Sequence, residues 1–304
     1  MKNFYILISI FFVGLFTSNA QQLPQFTQYM YNTISINPAY AGSRDGFSLT
    51  ALNRNQWAGL SGGPVTQTLS INTPLNNEKI GLGFSVINDK AGYEKYTYLY
   101  ADFSYTINVA DDITLAFGLK GGASYYDLDE DLFAEPTILS DPFFNDQFNK
   151  WTPNFGAGVY LSAQNWYMGL SAPKLINNDN NDFSDYVALE QVHYYLTGGY
   201  VFDLNYEWKL RPTALVKATK GAPLSFDMSA TVIYDEKLYL GATYRLDDAV
   251  GAFVDFQILP PLRIGYAYEY SISDLRPYTS GSHEILLIFE LRSKNTKYKS
   301  PRFF

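Results

Sequence analysis

Near the end of the chain lies the stretch HEILLIFEL, residues 283–291. After His283, its odd-numbered positions carry only apolar side chains, whereas its even-numbered positions include two acids, Glu284 and Glu290. Successive side chains of a β-strand point to opposite faces. The stretch therefore predicts a strand with one apolar and one polar face.

Comparable alternation recurs along the whole chain after its first part, and each apolar–polar stretch has the length of one strand. One such stretch alone is a weak signal, but a long series of them is typical of a transmembrane β-barrel. We therefore predict an all-β, antiparallel barrel of about 14 strands that spans residues 46–291. The predicted strands are 46–57, 65–73, 80–88, 95–108, 112–126, 154–162, 165–172, 191–202, 208–218, 225–234, 238–246, 249–258, 262–271 and 283–291.

The connections between these strands alternate in length from the fourth strand onward. Every second one is short, as at Ala110-Asp111 and Leu259-Pro260-Pro261, and long segments at 127–153, 173–190 and 272–282 lie between them. Bacterial barrels have short periplasmic turns and longer outer loops. The pattern thus predicts an even strand count with both termini in the periplasm.

Charged residues of both signs lie at the alternate strand positions that carry polar side chains, and these positions face the lumen in this interpretation. A charge on the lipid face would be destabilising, so this sorting supports the assignment of inside and outside. Two interpretations stay open: an internal salt-bridge network or a conducting, ion-selective lumen. The residues are Arg54, Asp102, Lys120, Lys209, Arg211, Lys217, Asp227, Arg245, Asp255, Arg263, Glu269, Glu284 and Glu290.

The first 20 residues have the features of a secretory signal peptide: Lys2, an apolar run, and small residues at Ser18 and Ala20. Without Lys2, 21 basic and 30 acidic residues remain, and this excess of negative charge argues against nucleic-acid binding. The chain has no cysteine, which excludes disulfides and a lipid-modified cysteine after the signal. Its 26 Tyr and 22 Phe suit the aromatic girdles of an outer-membrane barrel.

The segment before the first strand carries distinctive motifs. It reads LPQFTQYMYN at 23–32 and NPAYAG at 37–42, and it is followed by RNQW at 54–57 and GGPVTQ at 62–67. This series resembles the PorP/SprF family of type IX secretion outer-membrane proteins. One departure is Leu23, where the family commonly has Asp before the proline.

The resemblance implies a non-enzymatic protein without cofactors. It implies help in secreting, or in holding at the cell surface, proteins with a C-terminal sorting domain, including gliding adhesins. Outer-membrane lipid, such cargo and periplasmic components of the machine are the implied partners. The outer loops 127–153 and 173–190 are expected to contact cargo.

We predict a periplasmic N-terminal segment at 21–45 that either plugs the barrel mouth or docks on a partner through aromatic anchors. The basic tail 292–304 is expected to be periplasmic, either solvated or in contact with acidic lipid or a partner. The residues predicted to bind a partner are Phe26, Tyr29, Tyr31, Asn37, Pro38, Tyr40, Arg54, Gln56 and Trp57.

Two other function classes compete with this prediction. A channel or transporter for small or hydrophobic solutes would need an unplugged lumen, and an outer-membrane hydrolase would need a nucleophile beside His193 or His283. No metal site is predicted, because two distant histidines without cysteine do not make a zinc site. The acidic stretches 127–131 and 177–182 are expected to be solvated loops, with calcium binding as the alternative.

Overall fold

The computed structural model describes residues 24–75, 79–129, 149–179 and 189–292. Their dominant feature is a set of 14 long antiparallel strands. The strands are β1 Gly46–Asn55, β2 Val65–Pro74, β3 Ile80–Ala91, β4 Glu94–Ala110, β5 Ile113–Leu128, β6 Lys150–Ser162, β7 Trp166–Ala172, β8 His193–Tyr200, β9 Trp208–Thr219, β10 Ser225–Tyr234, β11 Leu238–Arg245, β12 Ala249–Leu259, β13 Leu262–Ser271 and β14 Ser282–Arg292.

Each strand pairs with its neighbours in the chain, and the first strand pairs with the last. The closing seam runs from Gly46 opposite Arg292 to Asn55 opposite His283. The sheet is therefore a closed barrel without free edges, which confirms the predicted all-β, 14-stranded fold. Two-residue strands at Asn178–Asp179 and Leu189–Glu190 pair with each other, and Phe202–Asp203 extends the sheet beside β9.

Some predicted strand boundaries were wrong by a few residues. The first strand ends at Asn55 rather than at residue 57, because Trp57 adopts a positive φ of 54° that a strand does not accommodate. The sixth strand begins four residues early, at Lys150. The eighth covers only His193–Tyr200 of the predicted 191–202.

The two faces of the wall separate as the alternation predicts. On β5, Phe117 and Leu119 are 48% and 64% exposed on the outer face, where the membrane lies, whereas Lys120 is 3% exposed on the inner face. Side chains from the inner face and from the segment before β1 form the buried part of the molecule.

The connections divide between two ends of the barrel, which we call the turn end and the loop end. The strand ends that border residues 75–79, 111–112, 163–165, 201–207, 235–237 and 260–261 lie at the turn end. The strand ends that border 56–64, 92–93, 129–149, 173–192, 220–224, 246–248 and 272–281 lie at the loop end. Loop-end connections are mostly longer, but 92–93 and 246–248 are short, so the alternation in length is not strict.

The segment before β1 contains short helical turns: a 3-10 turn at Tyr29–Tyr31, a single α-turn at Thr33–Ile36, and a second 3-10 turn at Pro38–Tyr40. Asn37 starts the last of these, since its Oδ1 accepts a hydrogen bond from the Ala39 amide at 3.0 Å. Another 3-10 turn, Arg276–Tyr278, lies in the connection before β14. Within the described ranges, no helix is long and apolar enough to cross a membrane.

Candidate functional site: the lumen and its plug

Residues 24–45 lie inside the barrel, and we call them the plug. The plug begins at the loop end, where the side-chain amide of Gln25 donates a 2.9 Å hydrogen bond to the hydroxyl of Ser225, the first residue of β10. It ends at the turn end, where Arg44 forms a 3.0 Å ion pair with Glu290, close to the end of β14. Of the two alternatives for this segment, the structure shows the arrangement of a plug.

One half of the lumen wall, which we call the charged wall, contacts the plug through long polar side chains on β1 and β9–β14. Arg54 is buried, and it forms ion pairs with Glu269 at 2.6 Å and with Glu284 at 3.4 Å. Arg245 links the same Glu269 at 3.3 Å to Asp227 at 2.6 Å. The internal salt-bridge network, one of two interpretations of the inward charges, is therefore present.

The plug backbone enters this network directly. The amides of Thr27 and Gln28 donate to the two oxygens of the Glu284 carboxylate at 2.9 and 2.8 Å. The Thr27 hydroxyl accepts from Arg54 at 2.7 Å and donates to Glu269 at 3.0 Å. Such charge-assisted hydrogen bonds are stronger than neutral ones, so the network fixes the position of residues 27 and 28.

A second group of contacts surrounds Tyr31. Its hydroxyl accepts from Arg211 at 2.7 Å, and its ring lies 4.8 Å from the Arg211 guanidinium and 4.4 Å from that of Arg263. Cations at these distances are attracted by the ring face. Nearby, the Gln28 side chain donates to Asp255 at 2.5 Å.

Tyr29 belongs to the plug rather than to a membrane-spanning strand, and its hydroxyl lies 2.8 Å from that of Thr213. Burial raises its pKa to about 12. Like an ordinary phenol, the side chain is neutral over the physiological range, and burial moves its titration still further above that range.

The other half of the lumen contacts the plug through bare backbone on β3, β5, β6 and β7, and we call it the glycine wall. A Cβ atom at Gly118 would collide with the backbone of Pro38 and Ala39. One at Gly81 would collide with the Ala41 carbonyl, and one at Gly158 with the Asn37 side chain. Glycine is needed here because the plug approaches the barrel wall more closely than any side chain on the wall would allow.

Asn37 is the polar centre of the contact with the glycine wall. Its Nδ2 donates to the Val159 carbonyl at 3.0 Å, while its Oδ1 caps the turn that Pro38 begins. Around it, Tyr40 packs edge-on against Tyr160, with ring centroids 5.6 Å apart. An ion pair also lies on this half of the lumen: Lys120 lies 2.7 Å from Asp102, its register partner on the adjacent strand β4, and it donates to the Ile34 carbonyl at 3.2 Å.

The nine residues predicted to bind a partner therefore lie in three places. Six belong to the plug and are buried in the lumen, and Arg54 lies on the charged wall. Gln56 and Trp57 lie in the first loop-end connection, where the Trp57 amide donates to the Ser282 hydroxyl at 3.2 Å. The six buried residues are Phe26, Tyr29, Tyr31, Asn37, Pro38 and Tyr40.

Sequence reasoning missed three kinds of plug contact. Thr27 and Gln28 bind the Glu284 carboxylate through their backbone amides, which carry no sequence signal. Arg44 lies two residues after the NPAYAG motif, and no pattern in the sequence marks it as a partner of Glu290. The inward glycines were visible as gaps in the alternation, because a strand interior seldom contains glycine without a close approach.

The described residues contain little that points to catalysis or to a metal. His283 shares a 2.7 Å hydrogen bond with the Tyr266 hydroxyl, and His193 one of the same length with the Gln191 carbonyl. Asp129, in the first acidic stretch, pairs with Lys90 at 2.6 Å and Lys95 at 3.0 Å. No group of three or more metal-ligating side chains is found in the described part of the chain.

Residues 18–289 match the family described as type IX secretion system membrane protein PorP/SprF. The chain belongs to the PorP/SprF family. The match covers the plug and nearly the whole barrel, as the sequence motifs predict, and it makes this protein an outer-membrane component of the type IX secretion system. The predicted signal peptide and the predicted basic tail after Arg292 lie outside the described residues.

Solved structures similar to this PorP/SprF protein include an outer membrane protein, a transporter and a channel. Omp33 of Acinetobacter baumannii is 10% identical, with coverage of 82% of this chain and 100% of that one and a TM-score of 0.48. The toluene transporter TodX of P. putida is 12% identical, with coverage of 86% and 94% and a TM-score of 0.48. The monoaromatic hydrocarbon channel CymD is 11% identical, with coverage of 90% and 95% and a TM-score of 0.47.

Comparison with curated proteins gives no match.

Proposed function

We propose that this PorP/SprF protein is a non-enzymatic accessory and docking component. It would assist the secretion, or the attachment at the cell surface, of proteins with C-terminal sorting domains, including gliding adhesins. Outer loops within 127–153 and 173–190 would contact the cargo, and periplasmic components of the machine would bind at the turn end, where the basic tail follows β14.

The observation that carries this proposal is a lumen filled by the protein's own plug. Buried ion pairs and hydrogen bonds hold the plug on the charged wall, and backbone contacts hold it on the glycine wall. Removing one partner of a buried ion pair typically costs several kcal/mol. A plug held on both sides favours a protein that works through docking over one that conducts solutes.

The test is surface display in a strain that lacks the gene. A reporter that ends in a type IX sorting domain should reach the surface with the wild-type gene and be lost or retained without it. Normal display in the deletion strain would contradict the proposal. An unrelated outer-membrane barrel of the same strain serves as the control for general membrane damage.

The alternative, a channel for small or hydrophobic solutes, predicts conductance by the purified protein. We expect planar bilayers with wild-type protein to show little conductance, and an in-frame deletion of residues 24–41 to conduct. High conductance by the wild type would favour the channel.

A further inference from the structure

Because of the direction in which the plug runs, the first and last described residues lie at opposite ends of the barrel. The strands themselves begin at Gly46 and end at Arg292, both at the turn end. Residue 24 instead lies at the loop end, because the plug runs the length of the lumen. The sequence predicts both termini on one side of the membrane, and the path of the plug departs from that arrangement.

Contacts at the start of the plug fix this direction independently of its middle. Gln25 bonds to Ser225 and Asp227 at the loop-end start of β10, and it accepts from Lys217 near the loop-end finish of β9 at 2.9 Å. Pro24 lines a small cavity together with Pro173 and Lys174, from the connection that follows β7. Two strands, β9 and β10, and one loop-end connection thus surround the first two described residues.

Pro24 and Gln25 are also only half-buried, unlike Phe26 to Tyr31, which are buried. Solvent therefore reaches the start of the plug at the loop end, while the residues that follow it are buried in the lumen.

From these contacts we propose that the N-terminal end of the plug is presented at the cell surface. This rests on the assignment of the longer connections to the outer face, which barrels of this class generally follow. The segment that the sequence assigns to the periplasm would then meet surface partners first, such as the cargo in the proposed function. A periplasmic protein could reach only the other end of the plug, near Arg44.

The chain has no cysteine, so a thiol-reactive label attaches to this protein only at an introduced cysteine. Three variants suffice: Pro24→Cys at the start of the plug, Ser61→Cys in the exposed β1–β2 connection at the loop end, and Tyr206→Cys at the turn end. Tyr206 is fully exposed. Intact cells are treated with a membrane-impermeant maleimide, with and without permeabilisation of the outer membrane.

We expect Pro24→Cys and Ser61→Cys to be labelled in intact cells, and Tyr206→Cys only after permeabilisation. Labelling of Pro24→Cys in the pattern of Tyr206→Cys would overturn the proposal. Protection of both Pro24→Cys and Ser61→Cys in intact cells would overturn the assignment to the cell surface.

A second measurement decides the matter if Pro24→Cys reacts under neither condition. The pair Gln25→Cys and Ser225→Cys should form a disulfide on mild oxidation, whereas Gln25→Cys with Leu75→Cys, at the turn end, should not. The reverse result would refute the direction of the plug. Both readouts are independent of cargo display, so their failure is distinguishable from failure of the proposed function.

Discussion

The charged wall and the glycine wall contact the same plug in different ways. On the charged wall, side chains such as Arg54 reach inward and bond to plug amides and hydroxyls. On the glycine wall, Gly118 and Gly81 let the backbone of the plug lie directly against the backbone of the barrel. The first contact depends on charge balance and can adjust through rotamers. The second contact requires a barrel residue without a side chain, so no change of rotamer can relieve a clash there.

The largest effect is expected where the charged wall loses its central cation. Arg54→Leu would remove the ion pair of the buried Glu284 and one of the two cations beside Glu269. We expect a loss of about 3–5 kcal/mol in the free energy of unfolding, because an uncompensated buried charge remains. Urea unfolding in detergent micelles, followed by tryptophan fluorescence, measures it.

The matched control is Arg276→Leu, an exposed arginine that bonds to the Tyr270 hydroxyl at 2.7 Å. It should change stability by less than about 1 kcal/mol. Equal effects of the two variants would show that the charged wall does not depend on ion pairing.

The glycine wall is tested by adding atoms. Gly118→Val would push side-chain carbons into the backbone of Pro38 and Ala39, and overpacking of this kind costs about 1–3 kcal/mol. Because the plug is the movable partner, we also expect conductance to appear in planar bilayers.

Gly121→Val is the control on the same strand. Gly121 faces outward, and the nearest atom to an added Cβ is a ring carbon of Phe155 at 3.8 Å. This variant should stay closed to ions. If both valine variants behave alike, close packing against the plug is not what the glycine provides.

A smaller change separates the two kinds of contact at Tyr31. Tyr31→Phe keeps the ring between Arg211 and Arg263 but removes the acceptor of the Arg211 hydrogen bond. The expected loss is about 0.5–1.5 kcal/mol. Tyr278→Phe, at an exposed tyrosine, is the reference for the same chemical change, and a loss no larger than that reference would assign the stabilisation to the ring.

The smallest effect is expected outside the lumen. Lys90→Gln would remove one of two lysines that pair with Asp129, and Lys90 is 48% exposed. Pairs of this type contribute about 0.2–1 kcal/mol, and salt screens them. Unfolding in low and high salt should show the difference shrinking as salt rises, and a constant or larger difference would contradict a solvent-screened contact.

Much of the fold followed from local signals. Alternation predicted the strands, and the sorting of charges predicted which parity faces the lumen, because both depend on single residues and a period of two. The end of β1 was wrong because nothing local to Trp57 signals a positive φ.

The site was less predictable. The aromatic and turn residues of the plug are visible in sequence, but whether Tyr31 or Tyr40 faces a partner or the lumen depends on the volume that 14 strands enclose. The direction of the plug depends on contacts such as Gln25 with Ser225, which are 200 residues apart. No periodicity encodes such a contact.

The closing seam has a consequence for assembly. Arg54 on β1 lies directly opposite Glu284 on β14, and both hold Thr27. The bonds that join the first strand to the last are thus the ones that seat the N-terminal segment. We therefore expect ring closure and insertion of this segment to be coupled during folding, so that the chain closes around its own beginning.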